Sequence, residues 1–210
     1  MFTKTLLPDT LRAIKLIANI PTIKNAYLAG GTALALQLGH RVSVDLDFFT
    51  QEKIDENAIA SDLSKLSEFN ETQRAWRTLI GKVGETKFSI FYYKYKLIDT
   101  ILPFEGIILA SKKDIAAMKI HAISDRGTKR DFIDAYLLAK EFTLDKMLDY
   151  YDQKYGSLEE KLYIILKSLD YFVDADLDIM PTMLINISWE DVKKYFHQEV
   201  QRLAKQKLQI

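Results

Sequence analysis

Residues 27–49, YLAGGTALALQLGHRVSVDLDFF, leave this chain little freedom. An apolar run ends at Gly30 and Gly31. The segment TALALQL suits a helix, and Gly39 suits its end, because glycine enters the left-handed region without steric cost. Residues 41–49 then alternate. Val42, Val44, Leu46 and Phe48 fall on one side of an expected strand, and Arg41, Ser43, Asp45 and Asp47 on the other. Aspartate is a poor strand former, so two in one strand need a reason.

Two residues apart on a strand means one face and roughly 6.5 Å along the backbone. Carboxylates so placed can converge on a hard cation such as Mg²⁺, which takes oxygen ligands and keeps several waters. A metal pair can polarise a phosphoryl group and activate an attacking oxygen. Upstream, Gly30 and Gly31 lack Cβ atoms, so backbone N–H groups at a helix start can approach a phosphate, and Thr32 adds a hydroxyl. Taken singly, each feature has a plainer reading: a solvated strand face, and an ordinary Gly-Gly turn. Their succession in one short segment, with Arg41 and Ser43 on the acidic face, singles it out.

Elsewhere, Leu11, Ile14 and Ile17 predict a helix over residues 8–19, capped by Asp9 or Thr10. Residues 26–29 read as a short buried strand and 52–68 as a helix. TLIGKVGETKFSIFYYKY reads as two strands about a turn at Gly84-Glu85, and ILPFEGIILAS holds one more short strand. From Ser111 onward the pattern is helical almost to the end. Ser111 with Asp114, Ser157 with Glu160 and Ser188 with Asp191 are spaced as capping boxes or close to them. The loop DADLDIMPTML, with Pro181, separates the last two helices. The chain thus divides into a mixed α/β half, 1–110, and a helical half, 111–210.

Equal numbers of basic and acidic residues, 29 of each, give zero formal charge. That argues against a whole-protein electrostatic hold on nucleic acid but permits local patches. Lys112, Lys113, Arg126, Lys129 and Arg130 cluster in sequence, open either to RNA phosphate contact or to a solvated helix face. The absence of cysteine excludes disulfides and thiolate metal sites. The first residues lack signal-peptide order, and no apolar run is long enough to span a bilayer, so a cytoplasmic protein is expected. Asp174, Asp176 and Asp178 imitate the opening of a calcium loop but lack its glycine and final glutamate, and read as surface charge. His40, His121 and His197 show no ligand spacing, and His40 reads as a surface helix end. Tyr92, Tyr93 and Tyr95 could stack bases, but read first as strand-core aromatics.

On a helix from residue 112, Ile115, Met118 and Ala122 form an apolar stripe that encloses Lys119. Such a lysine must snorkel to the edge or meet a partner. Asp131 opens the next helix, RDFIDAYLLAK, with Asp134 one turn on. A first-turn aspartate can simply complement the helix dipole.

GGTALALQLGHRVSVDLDFF resembles the first motif of the AbiEii/AbiGii toxin family of the nucleotidyltransferase superfamily. That motif runs Gly-Gly-Thr (or Gly-Ser), a short helix, then Arg-x-Ser-x-Asp-Leu-Asp-Phe. Gly30, Gly31, Thr32, Arg41, Ser43, Asp45, Leu46, Asp47 and Phe48 match it. KIHAISDRGTKRDFIDAY resembles a later segment, a helical Lys followed by Arg-Asp-x-x-Asp, with Lys119, Arg126, Arg130, Asp131 and Asp134 in place. SLDYFVDADLDIMPTML is also similar to members, so the resemblance covers most of the chain.

The resemblance implies an α+β fold: a small mixed nucleotidyltransferase-like sheet with flanking helices, then a helical domain that completes the active site. It implies transfer of a nucleoside monophosphate from an NTP with Mg²⁺ (or Mn²⁺). Asp45 and Asp47 would be catalytic and metal-binding, with Lys119 and Asp131 as further catalytic residues. Gly30, Gly31, Thr32, Arg41 and Ser43 would bind the nucleotide. Lys119 would neutralise phosphate charge in the transition state, and Asp131 would orient Lys119 or take a proton from the acceptor hydroxyl. Related toxins modify the acceptor end of tRNA and many are paired with an antitoxin, so a tRNA acceptor and a cognate antitoxin are expected. There is one departure. Polymerase-type members of the superfamily add a third carboxylate from a later strand, and neither TLIGKV nor KFSIFYY contains one. Glu85 lies in the expected turn, and Asp99 lies beyond the second strand. The alternative to an enzyme is a catalytically inactive partner subunit of the same fold. The retained carboxylates and Lys119 favour the enzyme.

Overall fold

In the computed structural model, which describes residues 1–208, seven strands form one mixed sheet in the order β3-β4-β5-β2-β1-β7-β6. The strands are β1 (Tyr27–Leu28), β2 (Leu46–Thr50), β3 (Phe69–Ala75), β4 (Thr78–Val83), β5 (Thr86–Tyr92), β6 (Leu102–Phe104) and β7 (Ile107–Leu109). β2 runs parallel to β5 and β1 parallel to β7, and the remaining pairs are antiparallel. The sheet and three helices, α1 (Pro8–Ile17), α2 (Gly30–Leu38) and α3 (Glu56–Leu63), make up a first unit, Met1–Ser111.

Local chemistry accounts for the element ends. α2 stops at Gly39, which takes the left-handed conformation (φ 70°) while the Phe2 ring fills the space a Cβ would need. The β4–β5 turn uses Gly84 at φ 60°, where the expected hairpin lies. α1 is started by Pro8, not by a side-chain cap at Asp9 or Thr10. The Asp9 carboxylate accepts instead from the Glu85 amide (2.8 Å) and the Thr86 hydroxyl (3.3 Å), fastening α1 to that turn. α3 is shorter than expected at both ends, and it starts only at Glu56 because Asp55 caps it, accepting from the Asn57 and Ala58 amides.

Three strand readings need correction. β2 begins at Leu46, not at Arg41. The preceding segment is tied to Thr5, whose carbonyl accepts the Ser43 amide at 3.0 Å. There Arg41 and Ser43 are buried while Val42 and Val44 are half-exposed, the reverse of the expected alternation. β3 carries the polar run NETQR on an exposed sheet edge, which no apolar periodicity could announce. ILPFEGIILAS holds two strands, β6 and β7, turning at Glu105-Gly106, both at positive φ.

The second unit begins at Lys112 and is helical over its described residues. Its helices are α4 (Lys112–Asp125), α5 (Lys129–Phe142), α6 (Leu144–Tyr155), α7 (Leu158–Leu169), α8 (Val173–Leu177) and α9 (Trp189–Leu203). α4 packs against α5, α6 and α7, so it is buried on several sides and has little amphipathic pattern. Phe132 of α5 meets the rings of Phe172, Trp189 and Phe196. Asp114 is engaged by the fully buried Lys154 ammonium at 2.8 Å.

Ser188 caps α9 as expected, but Ser157 makes no side-chain cap; the Leu158 amide goes to Asp152 at 3.0 Å. All three loop aspartates are exposed, as expected for surface charge, and two of them also make contacts. Asp176 accepts from the Trp189 indole (2.6 Å) and Lys193 (3.2 Å), and Asp178 caps α5 by accepting the Lys129 amide (2.9 Å). They fasten the loop containing α8. Among the described residues no helix is long and apolar enough to cross a membrane.

Candidate active site

β1 pairs antiparallel with β2, Leu28 opposite Phe48, and the Ala29 amide extends the ladder to the Asp47 carbonyl at 3.1 Å. The chain therefore enters α2 directly beside the two aspartates. Gly30 makes that entry at φ 67°, a conformation that side chains strain to adopt, with the Asp47 carboxylate 3.8 Å from where its Cβ would lie. Ala29, the N-cap, offers the first amides of α2 no side-chain acceptor. Those amides and the helix dipole favour an anion there.

Buried polar contacts hold this segment in place. The Thr32 hydroxyl donates to the Asp45 carbonyl at 2.5 Å and lies 2.9 Å from the Ser43 hydroxyl. Gly31 leaves room for Arg41: a Cβ there would fall 2.2 Å from Arg41 Nη2 and 3.3 Å from Ser43 Oγ. The Arg41 guanidinium, buried, also donates to the Val42 carbonyl at 3.2 Å. His40 is buried as well, not a surface helix end.

Asp45 and Asp47 are half-buried. In the parallel ladder Asp47 stands opposite Ser89 of β5, and Ser89 Oγ donates to Asp47 Oδ1 at 3.0 Å. The neighbouring strand thus supplies a hydroxyl, not a third carboxylate. Among the described residues no group of three or more His, Asp or Glu forms a metal cage. Two half-exposed carboxylates nonetheless fit Mg²⁺, which commonly takes one or two protein carboxylates and completes its shell with water and substrate phosphate.

In the second unit Lys119 does not snorkel. Its ammonium is buried and lies 2.8 Å from Asp131 and 2.7 Å from Asp134, both fully buried. The expected placement of both aspartates at the start of α5, one turn apart, is what lets them share one lysine. Asp131 also accepts from Arg126 Nε (3.0 Å) and from the Thr128 hydroxyl (2.6 Å). Burial alone would raise the Asp131 carboxyl; Lys119 and Arg126 outweigh it and hold it well below the usual carboxylate range.

The sequence cluster of basic residues is not one free patch. Lys112 pairs with Glu141, and Lys129 is buried with its ammonium on the Asp178 carbonyl. Arg130 is exposed. The structure gathers Gly30, Gly31, Thr32, Arg41, Ser43, Asp45 and Asp47 in the first unit, and Lys119, Arg126, Asp131 and Asp134 in the second. Sequence reasoning missed Ser89 and Thr128. Ser89 has no local signal, since only strand register brings it to Asp47; Thr128 stands at the N-cap position of α5, a place where hydroxyl residues are common.

Known proteins resemble this chain in sequence and in fold. The family described as "Nucleotidyl transferase AbiEii toxin, Type IV TA system" matches residues 16–102 and 94–196. An uncharacterized protein of Aquifex aeolicus (strain VF5) is 36% identical over 194 residues, 90% of this chain and 92% of that one. Among solved structures, JHP933 from Helicobacter pylori is similar with a TM-score of 0.55 at 22% identity, over 96% of this chain and 94% of its own. MenT4, a nucleotidyltransferase toxin from Mycobacterium tuberculosis, gives 0.51 at 15% identity, over 93% and 87%. At such identities the structural likeness is one of fold, and the fold is α+β and nucleotidyltransferase-like.

Proposed function

The chain belongs to the AbiEii nucleotidyl transferase toxin family, and from that premise we propose that it transfers a nucleoside monophosphate from an NTP to an RNA acceptor, tRNA first among them. The setting is a toxin–antitoxin or phage-defence system, in the cytoplasm, with a cognate antitoxin as partner. One observation carries the reading. The glycine start of α2 and the Asp45–Asp47 segment are tied together by Thr32, Arg41 and Ser43, which supports a reading in which an anion at the helix start and a cation at the aspartates would lie side by side.

In this reading the acceptor hydroxyl gives its proton to solvent, its oxygen bonds to the α-phosphorus, the bond from that phosphorus to the bridging oxygen breaks, and pyrophosphate leaves. Asp45 and Asp47 would hold Mg²⁺ (or Mn²⁺). When bound, the ion neutralises phosphate charge and polarises the phosphoryl group. The first α2 amides, reached past Gly30 and Gly31, take phosphate oxygens. Arg41 and Ser43 keep the turn in shape from behind, and Ser89 orients the Asp47 carboxylate. Within the second unit Lys119 is held buried between Asp131 and Asp134. Asp131 and Asp134 orient it; a carboxylate held as low as Asp131 makes a poor base near neutral pH.

The test is incubation with each of the four α-phosphate-labelled NTPs, Mg²⁺ or Mn²⁺, and total RNA. Label should enter a small RNA from one preferred NTP. Absence of label from every NTP with either ion would contradict the proposal.

A further inference from the structure

The face of the sheet that carries Asp47 also carries a row of aromatic rings. Phe49 follows Asp47 by two positions on β2, hence on the same face and roughly 6.5 Å along the strand. Phe91 follows Ser89 in the same way on β5, and its ring centre is 5.5 Å from that of Phe49. Beyond the strand, Tyr93 lies 5.2 Å from Phe49, and Tyr95 lies 5.1 Å from Tyr93.

The backbone fixes this row. The Tyr93 amide donates to the Thr50 carbonyl at 2.7 Å, and the Gln51 side-chain amide donates to the Tyr95 carbonyl at 2.9 Å. The rings are not core. Phe48, one position from Phe49, and Ile90, one position from Phe91, are fully buried on the opposite face, whereas Phe49, Phe91, Tyr93 and Tyr95 are each only half-buried. Lys94 places its ammonium 5.3 Å from the Tyr95 ring centre, at the rim of the row.

We infer that this row, centred on Phe49, Tyr93 and Tyr95, is a nucleobase platform. The inference rests on the nucleotidyltransferase reading above, which brings phosphates to the aspartates. A nucleotide anchored there extends its base several ångströms away, and the sheet face continues from Asp47 into aromatic surface. Stacking suits such a surface because every base has a π-face. The base belongs either to the incoming NTP or to the terminal nucleotide of the acceptor.

Calorimetric titration separates these sources. Wild type, Tyr93→Leu and Tyr95→Leu are titrated with each NTP, with inorganic tripolyphosphate and with bulk tRNA, all with Mg²⁺. The leucine variants should lose roughly 5- to 100-fold in affinity for the base-bearing ligand while tripolyphosphate binding is unchanged. Loss with NTP assigns the platform to the incoming nucleotide, and loss with tRNA assigns it to the acceptor. Tyr93→Phe, which keeps the ring, should restore what Tyr93→Leu loses. Unchanged binding of both NTP and tRNA in both variants would overturn the inference, as would an equal loss of tripolyphosphate. A wild-type protein that binds neither NTP nor tripolyphosphate would refute the underlying nucleotide reading as well.

Discussion

Replacing Lys119 by methionine removes one charge and leaves the side-chain length nearly unchanged. Two buried ion pairs disappear, at 2.8 Å to Asp131 and 2.7 Å to Asp134. Asp131 keeps Arg126 and Thr128, but Asp134 loses its lysine at full burial. Breaking a buried pair from one side costs roughly 3–5 kcal/mol, because the other charge stays behind. The return from burying a thioether is small, since the lysine methylenes are already inside. Against a stability of about 5–15 kcal/mol, that loss removes much of the margin. Urea denaturation followed by circular dichroism reads the effect. With m near 2 kcal/mol/M, the midpoint should fall by about 1.5–2.5 M. Adding Asp134→Leu to Lys119→Met should recover at least about 1 kcal/mol by removing a buried carboxylate that has lost its lysine. A loss below about 1 kcal/mol, the worth of an exposed pair, would refute the buried-cluster account.

Gly31→Val should raise the KM for the NTP at least ~10-fold in steady-state assays, since Arg41 must leave the space beside the first α2 amides; unchanged nucleotide binding would put the phosphates elsewhere. Gly30→Ala should cost about 1–2 kcal/mol in urea denaturation, because alanine must adopt φ 67°; no loss would mean that the turn relaxes freely. The Asp131 carboxyl is depressed in the fold, so as pH falls the unfolded chain takes up this proton first. Its contribution is complete well above the unfolded value of about 3.9 and is lost as pH drops through the lower folded value. Denaturation midpoints measured from about pH 6 to 3 should therefore fall more steeply for wild type than for Asp131→Asn, and equal slopes would contradict the assignment.

Much of this was legible from local pattern. Gly39 and Gly84 announce their turns, and the periodicity of α1 and the Gly84 hairpin follow from residues near in sequence. Lys119 inside an apolar stripe signals a partner, and Asp131 and Asp134 at i and i+3 are the partners found. What escaped depends on distant residues. Period-two reasoning carried β2 back to Arg41, but a hydrogen bond to Thr5 and the close fit of Arg41 against Gly31 override it. β3 has no apolar alternation because it is a solvent-facing edge. Asp114 looks like a cap until Lys154 arrives from 40 residues away, and nothing local shows that the exposed Asp178 caps α5 from 49 residues away. Tyr93 and Tyr95 look like core until the strand ends before them.

The central claim is that Asp45 and Asp47 act together at the start of α2 on an NTP. Its most direct test compares wild type with Asp45→Asn and Asp47→Asn in label transfer from α-phosphate-labelled NTP to total RNA, alongside urea denaturation of all three proteins. Each substitution removes one charge from a half-exposed site, so stability should change by no more than about 1–2 kcal/mol, while transfer should fall at least ~100-fold. Wild-type transfer by both folded variants would contradict the account.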